Sequence, residues 1–235
     1  MDEKIIPKHL GIILDGNRRW AKEHNLPSFE GHRRGFENIK TVASHAFDSG
    51  LKVMSVFAFS TENWKRSSEE VGYLMDLFKM VATKELKFLT EKNIKLKISG
   101  DMSAFDSELQ ASLEKALAET SKNTNGIFNI CLNYGGREEI VQAVKTIVKQ
   151  GIKAEEINQD LIQKYLYTAD LPDPDLIIRT SGEQRLSGFL TWQSIYSELY
   201  FVNKHWPEFS KDDLDQALIA YAQRSRRFGG NESNK

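Results

Sequence analysis

Short apolar runs alternate with longer amphipathic segments along most of this chain, and this alternation limits its fold more than any other feature. The short runs have the length and the β-branched content of buried strands, and they cover residues 10–14, 51–59, 94–99, 126–134, 175–179 and 196–202. The longer segments repeat apolar residues at helical spacing, and they cover residues 19–24, 31–49, 69–92, 105–122, 138–149, 158–166 and 211–224. Strands that alternate with helices predict an α/β fold with a mainly parallel central β-sheet flanked by helices.

The length and the composition indicate an ordinary soluble protein. We expect one domain over residues 1–230, with residues 231–235 as a frayed tail. A net charge of −1 disfavours a nucleic-acid binder. The single cysteine, Cys131, excludes a disulfide within the chain and a zinc site of the Cys₄ or Cys₂His₂ type. The sequence has no run of about 18 apolar residues and no signal-peptide pattern, so it predicts a cytoplasmic protein.

Polar clusters follow the ends of four predicted strands, at residues 15–17, 60–66, 133–137 and 179–183. Ligands of parallel α/β sheets bind beyond the carboxyl ends of the strands. We therefore expect the clusters to meet at one edge of the sheet. The residues expected at that edge are Asp15, Arg19, His32, Ser60, Asn63, Trp64, Arg66, Arg137, Arg179, Arg185, Ser187 and Glu198.

The first of these clusters, Asp15-Gly16-Asn17, joins a predicted strand to a predicted helix that opens with Arg18 and Arg19. The carboxylate can hold a metal ion, the backbone N–H groups of the turn can hold an anion, and the arginines can neutralise that anion. The alternative is a plain strand-to-helix corner whose Asp caps the helix. The cluster alone leaves both interpretations open.

The chemistry of the expected edge favours a diphosphate site. Guanidinium groups bind phosphate oxygens in a bidentate manner. Asp15 and Glu198 are the candidate metal-binding carboxylates of this edge, and Mg²⁺ is often bound by one or two carboxylates together with phosphate oxygens. The motifs GxxxxGK[ST], GxGxxG, HExxH, GxSxG and DDxxD are absent from the sequence. A phosphatase needs a nucleophile or an activated water, for which the sequence shows no good candidate.

Three of the candidate features also have purely structural interpretations. Residues 31–35, with the sequence GHRRG, are consistent with a simple helix start. Trp64 fits a packing residue at the root of a loop. Residues 133–137 fit a glycine turn that leads into a helix.

Five blocks of the sequence nevertheless resemble, in the same order, the motifs of the cis-prenyltransferases, including the bacterial members that make undecaprenyl diphosphate. The blocks are HLGIILDGNRRWA, GHRRG, FAFSTENWKR, NYGGREEI and DPDLIIRTSGEQRLSGFLTWQSIYSELYF. The resemblance spans about residues 9–230, which is nearly the whole chain. Five ordered blocks are far more specific than any single motif.

The resemblance implies a Mg²⁺-dependent enzyme that joins isopentenyl diphosphate to an allylic diphosphate such as farnesyl diphosphate. It implies a long Z-polyprenyl product, of the undecaprenyl type that serves as a cell-wall lipid carrier, and an apolar tunnel for the growing chain. It further implies a homodimer that contacts a membrane peripherally to release product, with no nucleic-acid partner. A shorter-chain synthase and a non-catalytic subunit of the same fold are the alternatives.

The resemblance also implies roles for individual residues. Asp15 would hold Mg²⁺ and help the allylic diphosphate leave, Glu198 would be a second metal ligand, and Asn63 would assist proton loss after condensation. The implied substrate-binding residues are Gly16, Asn17, Arg18, Arg19, Trp20, His32, Ser60, Thr61, Glu62, Trp64, Arg66, Arg179, Arg185 and Ser187. Among these residues, Arg179, Arg185 and Ser187 would hold isopentenyl diphosphate.

The chain departs from the family pattern at Arg18, Ser28 and Gly188, where the resemblance implies Gly, Arg and Asn. These departures bear on substrate affinity and on product length more than on the type of reaction.

Overall fold

A computed structural model describes residues 5–85 and 87–226 of the chain. The strands are β1 (His9–Ile13), β2 (Val53–Ser60), β3 (Ile94–Ser99), β4 (Gly126–Tyr134), β5 (Leu176–Arg179) and β6 (Glu198–Phe201). The α-helices are α1 (Asn17–Glu23), α2 (Ser28–Asp48), α3 (Ser68–Met80), α4 (Lys87–Glu91), α5 (Ser107–Thr120), α6 (Gly136–Lys149), α7 (Gln159–Tyr165) and α8 (Lys211–Ala222). Short 3₁₀ turns are Thr61–Lys65, Met102–Ala104, Ala154–Glu156 and Trp206–Glu208.

The six strands follow the order β3-β4-β2-β1-β5-β6 in one sheet. The pairs β1–β5, β3–β4 and β5–β6 are all parallel. The predicted fold class, a mainly parallel sheet flanked by helices, is confirmed. The six predicted strands are all present, although β6 begins at Glu198 rather than at residue 196.

Contacts divide the described chain into two compact units. The first comprises the residues up to Met54, those of Asp173–Gln184 and those from Gln193 onwards, and its core contains buried side chains of β1, β5 and α8. The second comprises Ser55–Pro172 and Arg185–Trp192, with a core built from β3, β4, α3 and α5. The prediction of one domain over residues 1–230 stays a prediction, and the predicted tail at 231–235 lies outside the described residues.

Helix α2 begins at Ser28, so the expectation that residues 31–35 start this helix is wrong. The two glycines of this segment lie inside the helix, where it meets the start of α1. A Cβ atom added at Gly31 would lie 2.0 Å from the carbonyl oxygen of Asn17, and one at Gly35 would lie 2.3 Å from Asn17 Oδ1. The glycines are therefore required because the two helices approach each other too closely for a side chain.

The single helix predicted over residues 69–92 is divided in the structure. Helix α3 is followed by a π-helical turn at Val81–Glu85, and α4 begins at Lys87. Ser67 caps α3 by accepting a hydrogen bond from the Glu70 backbone, as its position before the helix predicts. The apolar face of α3 packs inward, with the Phe78 ring 6.0 Å from that of Phe59 on β2. The tunnel expected beside this helix stays a prediction.

Two further expectations concern the core and the surface. Cys131 is free and buried on β4, as expected for a small core residue. None of the helices in the described part of the chain is long and apolar enough to cross a membrane.

Candidate active site

The carboxylate of Asp15 lies at the end of β1, opposite the last residue of β5. The parallel register pairs Ile13 with Arg179, so both strands end at the same level. Arg179 Nη2 donates to Asp15 Oδ2 over 2.8 Å, and Arg19 Nη2 lies 3.2 Å from Asp15 Oδ1. The rule for parallel sheets therefore predicts correctly that these three side chains meet.

The two arginines keep this carboxylate ionised. Burial alone would raise the pKa of Asp15, but the hydrogen bonds and the positive charges of Arg179 and Arg19 outweigh burial and lower the pKa below 3.8. The Arg179 side chain is only 5% exposed, so its charge is poorly screened by water. At neutral pH the site therefore contains a permanent carboxylate beside two permanent cations.

Gly16, and not Asp15, is the N-cap residue of α1. Its φ of 103° lies in the left-handed region that glycine adopts without strain. Asp15 Oδ1 accepts a 2.8 Å hydrogen bond from the Gly16 N–H, while the carboxylate as a whole faces the arginines. The interpretation of Asp15 as a simple helix cap is therefore wrong.

Arg19 joins Asp15 to the turn that follows β5. Its Nη1 donates to Glu183 Oε1 over 2.9 Å and to the Ser181 carbonyl over 3.3 Å. Two guanidinium groups and two carboxylates thus balance one another in this cluster. A diphosphate that approached it would be attracted by the arginines and repelled by Asp15, unless a cation accompanied it.

The remaining predicted residues of this unit do not all face Asp15. Trp20 donates from its indole nitrogen to Glu208 over 3.0 Å and stacks on His24, with ring centroids 4.4 Å apart. His32 is buried on α2, and Arg18 is exposed on α1. The predicted contacts of Trp20, His32 and Arg18 with substrate stay predictions.

Glu198 does not lie beside Asp15, and the expectation that it does is wrong. Glu198 is the first residue of β6 and pairs with Leu176, which in turn pairs with Leu10. Glu198 is therefore level with Leu10, five residues before Asp15. Because a strand rises about 3.3 Å per residue, the two carboxylates are far apart along the strand direction. Its carboxylate is bound by Arg224 over 2.8 Å. Within one chain, Glu198 does not reach a metal ion held by Asp15.

Among residues 5–85 and 87–226, no group of three or more His, Cys, Asp or Glu side chains is arranged to hold a metal ion. A metal at Asp15 would thus depend on a single protein carboxylate and on oxygens of a ligand. Mg²⁺ accepts this arrangement, because it commonly binds one or two carboxylates together with substrate phosphates and water. The donor set at Asp15 fits Mg²⁺ in that form.

The polar cluster after β2 belongs to the second unit. Ser60 ends the strand and caps the 3₁₀ turn Thr61–Lys65, and the Ser60 N–H donates to Asn63 Oδ1 over 3.0 Å. Arg66 Nη1 pairs with Glu70 over 3.0 Å. The Asn63 carboxamide oxygen is therefore engaged in local structure, while its predicted part in proton loss stays a prediction.

Trp64 is held at this turn by Asn133. Its indole N–H donates to Asn133 Oδ1 over 2.8 Å, and Asn133 Nδ2 donates to the carbonyl of Asp101 over 2.8 Å. The Trp64 ring packs edge-on against Phe59, with centroids 5.2 Å apart, yet remains 38% exposed. Trp64 is thus both a packing residue and an accessible one, which the sequence interpretation treated as alternatives.

Residues 133–137 form a glycine turn into a helix, as the structural alternative predicts, because Gly135 is the N-cap of α6. The segment that carries Arg185 and Ser187 lies against this helix start, where the Gly136 N–H donates to the Gly188 carbonyl over 2.8 Å. The predicted convergence of the second unit's residues with Asp15 stays a prediction. Those residues are Ser60, Thr61, Glu62, Asn63, Trp64, Arg66, Arg185 and Ser187.

Sequence reasoning missed several residues that surround Asp15. Glu183 and Ser181 lie in a cluster that the sequence does indicate, after β5, but no feature marks them individually. His205 and Glu23 have no local signal at all, because only the folded chain brings them near the Gly16 turn.

Comparisons with known proteins show the family to which the chain is similar. A family model described as putative undecaprenyl diphosphate synthase matches residues 13–229. The chain is 46% identical over 234 residues to an isoprenyl transferase of Clostridium tetani, covering 98% of this chain and 92% of that protein. It is 44% identical over 228 residues to a ditrans,polycis-undecaprenyl-diphosphate synthase, (2E,6E)-farnesyl-diphosphate specific, of Vibrio parahaemolyticus, covering 95% and 91% of the two chains.

A solved structure is also similar over nearly the whole length. The lavandulyl diphosphate synthase of Lavandula x intermedia, in complex with dimethylallyl diphosphate, superposes with a TM-score of 0.92. The two chains are 36% identical, and the match covers 97% of this chain and 100% of that one.

Proposed function

Because the chain belongs to the undecaprenyl diphosphate synthase family of prenyl transferases, we propose that it condenses isopentenyl diphosphate with an allylic diphosphate. The family resemblance predicted from the five ordered blocks is confirmed. For this chain we propose farnesyl diphosphate as the allylic substrate and undecaprenyl diphosphate, a cell-wall lipid carrier precursor, as the product. The name of the Vibrio parahaemolyticus relative supports both choices.

The observation that carries the proposal is the cluster of Asp15, Arg19 and Arg179. When the C–O bond of an allylic diphosphate breaks, negative charge grows on the departing diphosphate. The guanidinium groups of Arg179 and Arg19, held at 2.8 and 3.2 Å from the Asp15 carboxylate, would face this growing charge, and a cation that accompanies the diphosphate would offset the carboxylate. A second anionic substrate held nearby would attack the allylic carbon, and holding both substrates removes much of the entropic cost.

Mg²⁺ is the cofactor that we propose for this site. Asp15 would hold it, with the remaining ligands supplied by diphosphate oxygens and water. Bound there, Mg²⁺ would neutralise charge on the diphosphate and so assist its departure. The Asp15 carboxylate is ionised, as the binding of a cation requires.

The proposed division of the other residues follows the family resemblance. The allylic diphosphate would be bound by the Gly16–Asn17 turn, Arg19 and Arg66, and isopentenyl diphosphate by Arg179, Arg185 and Ser187. The further proposed contacts with substrate are Arg18, Trp20, His32, Ser60, Thr61, Glu62 and Trp64. We also propose a cytoplasmic homodimer that contacts the membrane peripherally, and an apolar tunnel beside α3 that receives the growing chain.

A product assay tests the proposal. The protein is incubated with farnesyl diphosphate, labelled isopentenyl diphosphate and Mg²⁺, and the chain length of the labelled product is measured. We expect a long Z-polyprenyl diphosphate, and we expect chelation of Mg²⁺ to abolish its formation. A parallel reaction with dimethylallyl diphosphate tests the allylic diphosphate that is present in the solved structure of the Lavandula x intermedia relative. Extension of farnesyl diphosphate by only one or two isoprene units would replace the long-chain assignment, and the absence of any condensation would refute the proposal.

A further inference from the structure

Three side chains form a hydrogen-bonded chain directly behind the Gly16 turn, and the proposed reaction uses none of them. Ser181 Oγ lies 2.6 Å from His205 Nδ1, and His205 Nε2 lies 3.0 Å from Glu23 Oε1. The three residues come from the turn after β5, the segment after β6 and the end of α1. All three belong to the first unit.

The direction of these hydrogen bonds follows from the chemistry of the end group. An ionised carboxylate only accepts hydrogen bonds, so Glu23 requires the N–H of the imidazole to be on Nε2. In the neutral ring, Nδ1 is then an acceptor, and the Ser181 hydroxyl donates to it. Glu23 therefore fixes the tautomer of His205, and His205 fixes the orientation of the Ser181 hydroxyl.

The Ser181–His205 pair packs against the Cα atom of Gly16. A Cβ atom added at Gly16 would lie 2.6 Å from His205 Nδ1 and 2.7 Å from Ser181 Oγ. Both distances are far below van der Waals contact, so only glycine fits against this pair. The position of the Gly16 turn is therefore set, on its inner side, by where Ser181 and His205 lie.

Thr180 and Trp206, the residues next to this pair in sequence, hold the backbone of Asp15. Thr180 Oγ1 donates to the Asp15 carbonyl over 2.7 Å, and the Trp206 N–H donates to the same carbonyl over 3.0 Å. Thr180 precedes Ser181, and Trp206 follows His205. Thr180 and Trp206 thus hold the backbone of Asp15 independently of the Ser181–His205 side-chain bond, which acts on the Gly16 backbone.

Ser181 itself is in a conformation that needs support. Its φ of 76° lies in the left-handed region, which is unfavourable for a residue with a side chain. Its N–H donates to the Lys204 carbonyl over 2.9 Å, and the Gly182 N–H donates to the Val202 carbonyl over 2.9 Å. The side-chain bond to His205 adds a third tie between this turn and the segment after β6.

We infer that His205, held by Glu23 and acting through Ser181, is a positioning residue that sets the affinity of the Asp15–Gly16 turn for a diphosphate group. The inference rests on the proposed function, because it assigns the diphosphate to this turn. The three residues hold the binding backbone and do not touch the reacting atoms. Their loss therefore weakens binding, which raises the KM for the allylic diphosphate, and leaves kcat nearly unchanged.

Three substitutions and one control test the inference. Ser181→Ala removes a single oxygen atom, His205→Leu removes both ring nitrogens, and Glu23→Gln removes the charge that fixes the tautomer. His45→Leu is the matched control, because His45 Nε2 also pairs with a carboxylate, that of Asp215, over 2.9 Å. Steady-state kinetics give KM and kcat, and calorimetric titration with inorganic pyrophosphate and Mg²⁺ gives affinity without turnover.

We expect Ser181→Ala and His205→Leu each to weaken pyrophosphate binding about five- to tenfold, the loss that corresponds to one hydrogen bond of about 1 kcal/mol. The KM for farnesyl diphosphate should rise by a similar factor, with kcat within about twofold of the unmodified protein. The double variant should be no worse than either single variant, because the two residues act as one unit. His205→Asn can place an amide oxygen near the position of Nδ1 and should restore part of the affinity.

Pyrophosphate affinity equal to that of the unmodified protein in all three variants would overturn the inference, and so would a fall in kcat at constant KM. If His205→Leu does not fold, as judged by thermal unfolding, Ser181→Ala carries the test, since it retains the Cβ atom. A failure of the proposed function can be distinguished from a failure of this inference. Protein without condensation activity whose variants still lose pyrophosphate affinity would refute the reaction and support the positioning role.

Discussion

Arg179, the last residue of β5, donates a 2.8 Å hydrogen bond to the carboxylate of Asp15, which follows the end of the neighbouring strand β1. Two strand ends that are far apart in sequence thereby create one ionised carboxylate beside a buried cation. This pair connects the parallel sheet with the proposed chemistry, because the register places Arg179 opposite Ile13, two residues before Asp15. Two predictions concern this pair, and two more concern other contacts of the fold.

The first prediction concerns the reaction itself. Asp15→Ala should lower kcat by about a hundredfold or more, because it removes the only carboxylate proposed to hold Mg²⁺ next to the leaving diphosphate. The measurement is the rate of incorporation of labelled isopentenyl diphosphate at saturating substrate. Asp212→Asn is the control: this exposed carboxylate lies in the first turn of α8 and should be replaceable without loss. Near-normal condensation by Asp15→Ala would contradict the assigned role.

The second prediction concerns the stability at acid pH. Arg179 and Arg19 lower the pKa of Asp15 in the folded protein below 3.8, despite the opposing effect of burial. A carboxyl group with a lower pKa in the folded state stabilises the protein above its unfolded pKa, and this contribution is lost as pH falls through the folded pKa. The free energy of unfolding should therefore decrease below about pH 4, and part of this decrease should be absent in Asp15→Asn.

Urea unfolding between pH 6 and pH 2 measures this difference. The slope of stability against pH is the relevant quantity, because Asp15→Asn also lowers stability at neutral pH by leaving Arg179 without its carboxylate. Identical slopes for the variant and the unmodified protein in the acid range would show that the arginines do not lower the pKa of Asp15.

Some features of the fold and the site could be predicted from the sequence, and others could not. The meeting of Asp15 and Arg179 could be predicted, because apolar runs mark the strands and the parallel-sheet rule then places their carboxyl ends together. The location of Glu198 could not be predicted. The end of the sheet at which Glu198 lies depends on whether this residue begins or ends β6, and an apolar run does not define the register. The division between α3 and α4 was missed for a similar reason: the apolar spacing continues across the π-helical turn.

The chain of Glu23, His205 and Ser181 illustrates the limit of sequence reasoning more strongly. No spacing rule connects residues that lie 24 and 182 positions apart. Each of the three has an ordinary local context, and only the packing of three segments gives them a common role. Positioning residues of this kind are invisible to motif analysis, because motifs describe neighbours along the chain.

The third prediction concerns the orientation of Trp64. Asn133 has a φ of 47°, which glycine adopts freely and alanine does not. Asn133→Gly therefore keeps the backbone conformation and removes the side chain, which accepts from the Trp64 indole N–H and donates to the Asp101 carbonyl. Asn133→Ala removes the same two hydrogen bonds and adds backbone strain of about 1 kcal/mol. The indole N–H signal of Trp64 in a ¹H–¹⁵N spectrum should shift and exchange faster in both variants, with a lower unfolding temperature for Asn133→Ala.

The indole signals of Trp20 and Trp206 are internal controls, because these rings donate to Glu208 and to the Gly35 carbonyl in the other unit. They should stay in place in both variants. An unchanged Trp64 signal in Asn133→Gly would mean that the ring is oriented by its aromatic neighbours and not by this hydrogen bond.

The fourth prediction compares glycines in two helices. Gly31 lies inside α2, where a Cβ atom would meet the Asn17 carbonyl at 2.0 Å, whereas a Cβ atom at Gly72 in α3 meets nothing within 4 Å. Gly31→Ala should lower the free energy of unfolding by about 2–3 kcal/mol, because α1 must move away from α2. Gly72→Ala should instead raise it by about 0.5–1 kcal/mol, since alanine favours the helix.

Chemical denaturation of the two variants measures both expected changes in the free energy of unfolding, the decrease for Gly31→Ala and the increase for Gly72→Ala. Because α1 carries Arg19, Gly31→Ala should also raise the KM for the allylic diphosphate, while Gly72→Ala should leave the KM unchanged. A destabilised Gly31→Ala protein with normal KM would show that the α1–α2 contact supports the fold without positioning Arg19. Equal stabilities of the two variants would show that the close approach of α1 and α2 is not required.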